Sequence, residues 1–326
     1  MNAPDPLAPD VARGRLETPA TDYDVVVIGG GPAGLSAALN LVRARRRTLV
    51  IDANRPRNAA TLHAHGYLSR DGISPLELRK LGRDEVESYP DGELLSAVVD
   101  GVTRVGEVFV VAARGIRGGQ DRAVTARTVL IASGLIETLP ALPSLRVYYG
   151  THLHSCIECD GYEKVDAALA LIGESVDLAQ RALLLGQWSR DLIVFTNGVG
   201  AISDGDERAL AARGIRVERR AITDIAGERG TMSGVQLADG EMVPRTAGFV
   251  RPQWAPALGY ADSLELQTDA DGLLVVDGGG RTSAPGVYAA GDPTTAGPQQ
   301  LIVAAGAGAV AASAINSDLI GPLNPA

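Results

Sequence analysis

The chain has 326 residues, of which 45% are hydrophobic, 21% charged and 4% aromatic, and its net charge is −9. At this length the apolar content suffices for two packed cores. The acidic balance argues against a nucleic-acid binder, which needs clustered Lys and Arg to neutralise phosphates.

Residues 1–21 are rich in Pro, Ala and Asp and lack the apolar run of a signal peptide. They read as a disordered tail on a cytoplasmic protein. Tyr23 to Ile28 is a β-branched run, the pattern of a buried parallel strand. It is followed by Gly29-Gly30-Gly31-Pro32-Ala33-Gly34, then by helical apolar spacing at Leu35, Ala38, Leu39 and Val42. The short basic cluster Arg43, Arg45, Arg46 and Arg47 falls where that helix ends, where cations are favoured. Thr48 to Ile51 is a second buried strand, ending at Asp52. This is a βαβ unit whose glycines fit GxGxxG in the required context. Such glycines permit a tight turn and close approach of backbone N–H groups to a pyrophosphate. Asp52 is placed to accept hydrogen bonds from ribose hydroxyls.

Ile73 to Tyr89 reads as a helix, with Pro75 in its first turn and Ser74 as its cap. Leu94 to Ala113 alternates around a turn at Gly106-Glu107, so an antiparallel hairpin is expected. Thr128 to Gly134 is a buried strand ending in small residues, and Leu139 to Pro143 is a linker. A second βαβ unit follows: strand Ala168–Gly173, helix Ser175–Leu185, strand Leu192–Phe195 and a turn at Thr196-Asn197-Gly198. Further strands are expected at Leu273–Val276 and Val287–Ala290, then Gly291-Asp292 and a final helix from Gln300 to Asn316. Pro293 to Ser317 has the length of a membrane span but reads as too weakly hydrophobic, so a buried helix is expected and no membrane partner. The two similar openings indicate a duplicated nucleotide-binding architecture of the α/β class.

The two cysteines lie in Cys156-Ile157-Glu158-Cys159-Asp160-Gly161. They are too few for a disulfide scaffold. A CxxC pair can close a disulfide across one helical turn, and neighbours can lower the first thiol's pKa to make a nucleophile. The rival reading is metal binding, because His152, His154, Cys156 and Cys159 place four zinc-type ligands in eight residues. Ligands so closely spaced are hard to arrange tetrahedrally, and no second cluster exists, so no metal is expected. Two inert buried thiols are the bland reading. Asp160 can move the proton that thiol–thiolate exchange requires, or be a plain turn residue. His63 and His65 either approach a bound cofactor or are ordinary hydrogen-bonded histidines.

Together these pieces resemble the low-molecular-weight thioredoxin reductase family, in the same order, over about residues 22 to 318. The resemblance implies an α/β fold of two Rossmann-like nucleotide-binding domains, each a three-layer ββα arrangement, the second inserted into the first. The FAD-binding domain would comprise residues 22–139 and 251–326, and the CxxC-bearing, NAD(P)-binding-like domain residues 140–250. It implies a homodimer, with Cys156 exchanging with substrate and Cys159 attacking the flavin. Cofactor contacts are expected from Gly29, Gly31, Pro32, Ala33, Gly34, Asp52, Ala53, Arg57, Asn58, His65, Ala132, Gly134, Gly291, Asp292, Gln300 and Leu301. Catalytic roles fall to Cys156, Cys159, Asp160 and His65.

Two departures bear on NAD(P)H. In the second fingerprint, Gly173-Glu174-Ser175-Val176-Asp177-Leu178, Ser replaces the middle glycine and Leu the third. After the next strand, Thr196-Asn197-Gly198 carries no basic partner for a 2′-phosphate. The segment from Cys156 to Glu163 and the stretch from Arg57 to Gly72 look instead like flavoprotein dithiol oxidases, which close disulfides in small natural products such as gliotoxin, holomycin and romidepsin. Fungal oxidases of that type have His after the second Cys; Asp160 is the reductase-like residue. The expected substrate is a small-molecule dithiol or disulfide, with a thioredoxin-like protein as the alternative.

Overall fold

A computed structural model describes residues 20–294 and 297–321; nearly all of the expected disordered tail, residues 1–19, lies outside the described residues. The chain opens with β1 (Tyr23–Ile28), α1 (Pro32–Arg43), β2 (Thr48–Asp52) and α2 (Pro75–Glu87). An antiparallel run follows, of β3 (Gly92–Val105), β4 (Val108–Gly115) and β5 (Arg122–Ile131), and then β6 (Leu135–Thr138). A second set comprises α3 (Leu145–Tyr148), β7 (Leu153–His154), α4 (Ile157–Asp160), β8 (Leu169–Ile172), α5 (Leu178–Leu185), β9 (Leu192–Phe195), α6 (Asp204–Ala211) and β10 (Arg216–Glu218). It continues through β11 (Ile222–Glu228), β12 (Thr231–Leu237), β13 (Met242–Pro244) and β14 (Ala247–Val250). The chain then returns through β15 (Gln253–Pro256) to β16 (Val287–Ala289) and α7 (Leu301–Ile320).

The period-two pattern of β1 explains the layers. Val25 and Val27 face a core shared with α1 and α7, while Val26 and Ile28 face a core shared with Phe109, Val111 and Val124 of the antiparallel run. A strand is apolar where both faces are covered, and β1 is so from Val25 to Ile28. β1 pairs in parallel with β2 and β5, and β5 with β16, so the last segment completes the first sheet. The second sheet has the order β10-β9-β8-β14-β7 and repeats the plan. Leu169 and Leu171 of β8 meet α5 and α6, and Ala170 and Ile172 meet Ile225, Met232 and Val235 of the β11–β13 meander. Helices, parallel sheet and meander therefore form three layers twice over, with the second sheet formed between two visits to the first. The antiparallel pair β6–β15 carries the chain out and back.

Several expectations are corrected. Leu273–Val276 is no strand: Leu274 forms isolated bridges, to Thr268 and Thr294, and no ladder extends from them. Ser74 occupies the cap position of α2, but its side chain makes no capping bond. α5 starts at Leu178 rather than Ser175, because Ser175 Oγ donates to Asp177 Oδ1 at 2.5 Å in the turn before it. α7 runs to Ile320, beyond the expected Asn316, since Leu319 still packs on the core. By length and hydropathy, 1.4 over its most apolar window, α7 also meets the measure of a membrane span, against the expectation that it is too polar. One side of it is buried on α1: a Cβ on Gly308 would lie 2.0 Å from the Ala33 carbonyl oxygen, so only glycine permits this approach.

Candidate active site

Two clefts meet at Arg57, Asn58 and Leu301. The longer one runs past the glycine turn and is lined by Gly29, Gly31, Pro32, Ala33, Asp52, Ala132, Gly134 and Asp292 among others. Gly29 is fixed by the fold, since its φ is +109° and a Cβ would lie 2.3 Å from the Ala132 carbonyl oxygen. A Cβ on Gly31 would meet nothing within 4 Å, so that residue borders open groove. α1 starts there with no side-chain cap and with Pro in its first turn. An uncapped helix start presents N–H groups and a partial positive charge, which suits a pyrophosphate. Gly30, absent from the expected set, also lines the groove; a Cβ there would lie 2.8 Å from the Asp52 carboxylate.

Asp52 is more elaborately held than its place in the sequence indicated. Arg79 Nη2 donates to its Oδ2 at 2.7 Å, and Arg83 binds the same oxygen. Burial works against the charge, but Arg79, the Asn54 N–H and Arg83 together outweigh it and hold this carboxyl below its ordinary value. Among the described residues Oδ1 accepts the Asn54 N–H alone, at 3.2 Å. At the other end, Asp292 Oδ2 accepts from Arg57 Nη2 at 2.7 Å. Gly34, Ala53, Gly291 and Gln300 are set back from both linings; Gly291 (φ +80°) packs against Ala33, and Gln300 precedes α7. Its neighbour Gln299 lines the second cleft instead, with its buried Oε1 unpartnered among the described residues.

That second cleft gathers Cys156, Cys159, Asp160, His65, His63, Arg57 and Asn58, with His154, Tyr149 and Ser155. The cysteines form a disulfide with Cα atoms 5.2 Å apart. Cys156 is the N-cap of α4, and the Cys159 N–H donates to its sulfur at 3.2 Å. An N–H aimed at a sulfur stabilises that sulfur as a thiolate. His65 stands between Asp71 and Glu163, 3.5 Å from each. Tyr149 Oη donates to Glu137 at 2.6 Å and lies 2.9 Å from Ser155 Oγ; burial first, then the Glu137 bond, pushes its pKa well up. Arg181 of α5 donates to the Ser155 carbonyl at 2.9 Å, tying the cysteine segment to the second sheet.

Sequence reasoning placed the cysteines, Asp160 and the glycine groove side by side, but missed the roles of His154, Arg79 and Arg83. His154 entered only as a rival zinc ligand. In the structure its Nδ1 faces Asp160 Oδ1 at 3.0 Å and its Nε2 faces the Thr151 carbonyl at 2.9 Å. His152 turns instead to the Thr246 carbonyl. Among the described residues no cluster of three or more His, Cys, Asp or Glu is placed to hold a metal.

At the second fingerprint the chain's own side chains fill the approach. Leu178 packs against Gly173 and Gly200, where a Cβ on either glycine would lie within 3.0 Å of it. The Asp177 carboxylate stands at the start of α5, bonded to Arg251 Nε at 2.9 Å. Asn197 Nδ2 donates to Glu174 at 2.8 Å. The arginines after β10 are engaged elsewhere: Arg219 with Glu207, and Arg220 with Glu218, Asp239 and Glu241.

The family described as pyridine nucleotide-disulphide oxidoreductase matches residues 23–308, and the chain belongs to it. A probable thioredoxin reductase of Arthroderma benhamiae is 33% identical over 184 residues, 55% of this chain and 45% of that protein. The thioredoxin reductase sirT of Leptosphaeria maculans is 27% identical over 92% of this chain and 95% of its own. A crystal structure of a thioredoxin reductase TrxB of Bacillus anthracis, described there as putative, superposes with a TM-score of 0.85 at 36% identity, covering 91% of this chain and 98% of that one. The protein is thus a flavoprotein disulfide oxidoreductase of the thioredoxin reductase type.

Proposed function

We propose that this enzyme is an FAD-dependent dithiol oxidase, which closes an intramolecular disulfide in a small molecule and uses oxygen as the electron acceptor. The observation that carries this reading is the contrast at the two fingerprints. Neither helix start has a side-chain cap, but the first keeps its glycines and open space, whereas the second sets Ser175, Leu178, the Glu174 carboxylate and the Arg251-paired Asp177 carboxylate where a dinucleotide phosphate would approach. Anionic side chains at a helix start compete with a bound phosphate.

In this reading a substrate thiolate attacks Cys156 Sγ, breaking the Cys156–Cys159 bond and leaving Cys159 as a thiolate. The second substrate thiol loses its proton to Asp160 and displaces Cys156, so the substrate leaves as a disulfide and two electrons stay on the cysteine pair. Bound flavin supplies the two-electron relay from that pair to oxygen, which is reduced to hydrogen peroxide. The glycine turn and the start of α1 would hold the pyrophosphate, Asp52 the ribose, and Arg57, Asn58, Asp292 and Leu301 the flavin end. Support for FAD, rather than a mononucleotide, is that one groove joins the Asp52 end to the cysteine cleft through Arg57, Asn58 and Leu301.

The paired strands β6 and β15 support a domain division into residues 22–139 with 251–326, and 140–250. A homodimer is supported by the outer side of α7, where Ile302, Val303, Gly306, Val310, Ser313 and Ile320 form an exposed stripe without charge. An oxygen electrode tests the main reading. With a small dithiol and no nicotinamide cofactor, one oxygen should disappear per disulfide formed. Turnover only when NADPH and a disulfide substrate are supplied would make the enzyme a reductase, which is the alternative that the relatives' names favour.

A further inference from the structure

His154 and Asp160 are both nearly buried, with side-chain exposures of 8% and 13%, on the wall that carries the disulfide. The Thr151 carbonyl facing His154 Nε2 can only accept, so Nε2 carries a hydrogen. Nδ1 stands 3.0 Å from Asp160 Oδ1, close enough for a proton to pass between them. Other charged groups surround the pair. Lys164 Nζ donates to the same Thr151 carbonyl at 2.8 Å; burial pushes its pKa down, while Asp160 and Glu163 push it up. Arg57 and His65 line the same cleft, and from β14 only the neutral ring of Phe249 faces His154.

We propose that His154 and Asp160 form a single proton-holding unit for thiol–disulfide exchange, with His154 as the positioning residue that lets a nearly buried Asp160 take up and return a proton. When the second substrate thiol attacks the mixed disulfide, its S–H proton passes to the pair. The substrate S–S bond forms, the bond to Cys156 breaks, and the proton then moves to the departing Cys156 thiolate. No further oxidant is needed in this half of the cycle. A lone carboxylate there would carry its charge into a poorly solvated wall, whereas the imidazole shares it. The inference rests on exchange at Cys156–Cys159 and holds for either direction of electron flow.

The test is anaerobic rapid mixing of the holoenzyme with dithiothreitol, counting protein thiols against time across the neutral pH range. His154→Gln and Asp160→Asn should each slow thiol appearance on the order of 10²-fold and flatten its pH dependence. The double variant should be no slower than the slower single one, as expected of two groups acting as one. His154→Asn, which keeps a donor towards Asp160 but cannot carry the proton, should behave like His154→Gln; if neither histidine variant folds, Asp160→Asn carries the pH test alone. Losses that multiply in the double variant, or a slowed rate with the wild-type pH profile, would overturn the proposal. Cys156→Ser, which holds no disulfide, is run beside them with flavin bleaching as its readout: rapid bleaching by dithiothreitol in that variant would instead contradict the exchange reading itself.

Discussion

The two βαβ openings of this chain share one frame and differ in what stands at the helix start. At the first, Gly31 leaves open space before an uncapped α1, and the nearest carboxylate, Asp52, is held back by Arg79 and Arg83. At the second, Leu178 fills the space beside Gly173, while Asp177 occupies the head of α5 and Glu174 is bridged to Asn197. The same layers and the same alternation of buried residues therefore support one opening with free space at the helix start and one filled by Leu178 and by Asp177 in its ion pair with Arg251. Fold alone does not assign a nucleotide to each opening; the side chains at the helix start do.

The largest expected effect removes what the first opening feeds. Cys156→Ser and Cys159→Ser should each abolish dithiol turnover, with rates down by about 10³-fold or more. Full turnover in either would break the account of the cleft.

Next comes the first opening itself. Asp52→Asn leaves Arg79 and Arg83 facing a neutral amide in a nearly buried site, and should cost about 3 kcal/mol along with most of the bound flavin. Thermal melting and the flavin-to-protein ratio measure this. Because the folded pKa of Asp52 lies below its ordinary 3.8, its stabilisation is complete above that value. It is lost as pH falls through the lowered native value, so wild-type flavin release should be confined to acid below about pH 4.

A smaller effect should come from opening the second site. Glu174→Gly with Ser175→Gly removes one carboxylate and restores the middle glycine. It should speed flavin bleaching by NADPH threefold to tenfold, about 1 kcal/mol, without reaching the rate with dithiol. The smallest concerns the ion cluster behind that site. The Arg220 bond is the largest of the influences that hold Glu218 down to about 2, and the backing it gives is lost as pH falls from 4.5 towards that value. Glu218→Gln should lower Tm at neutral pH by roughly 1–3 °C, with no change in NADPH response.

What was legible in the sequence followed from periodicity and backbone need. The buried cores of β1 and β2, and all of β8 and β9, read as strands from their apolar runs because parallel strands are buried on both faces, and the glycine turn was legible because Gly29 has no room for a side chain. Leu273–Val276 misled for the converse reason: of its apolar residues Leu274 alone is buried, and it sits in isolated bridges without a ladder. The missed site residues are those joined across the fold or by geometry alone. Arg79 and Arg83 reach Asp52 from 27 and 31 residues away. His154 precedes Asp160 by six residues, and only the course of the chain from β7 into α4 brings them together. Nothing in a linear string marks a buried imidazole as the partner of a carboxylate rather than a metal ligand.

The central claim is that electrons enter from a dithiol and not from a pyridine nucleotide. Anaerobic stopped-flow mixing of the flavin-loaded enzyme with a small dithiol, NADPH or NADH, followed by air, tests it most directly. The account predicts rapid bleaching by the dithiol, slow or no bleaching by either nucleotide, and prompt return of colour in air. Rapid bleaching at low NADPH concentration, with reduced enzyme stable to oxygen, would contradict it.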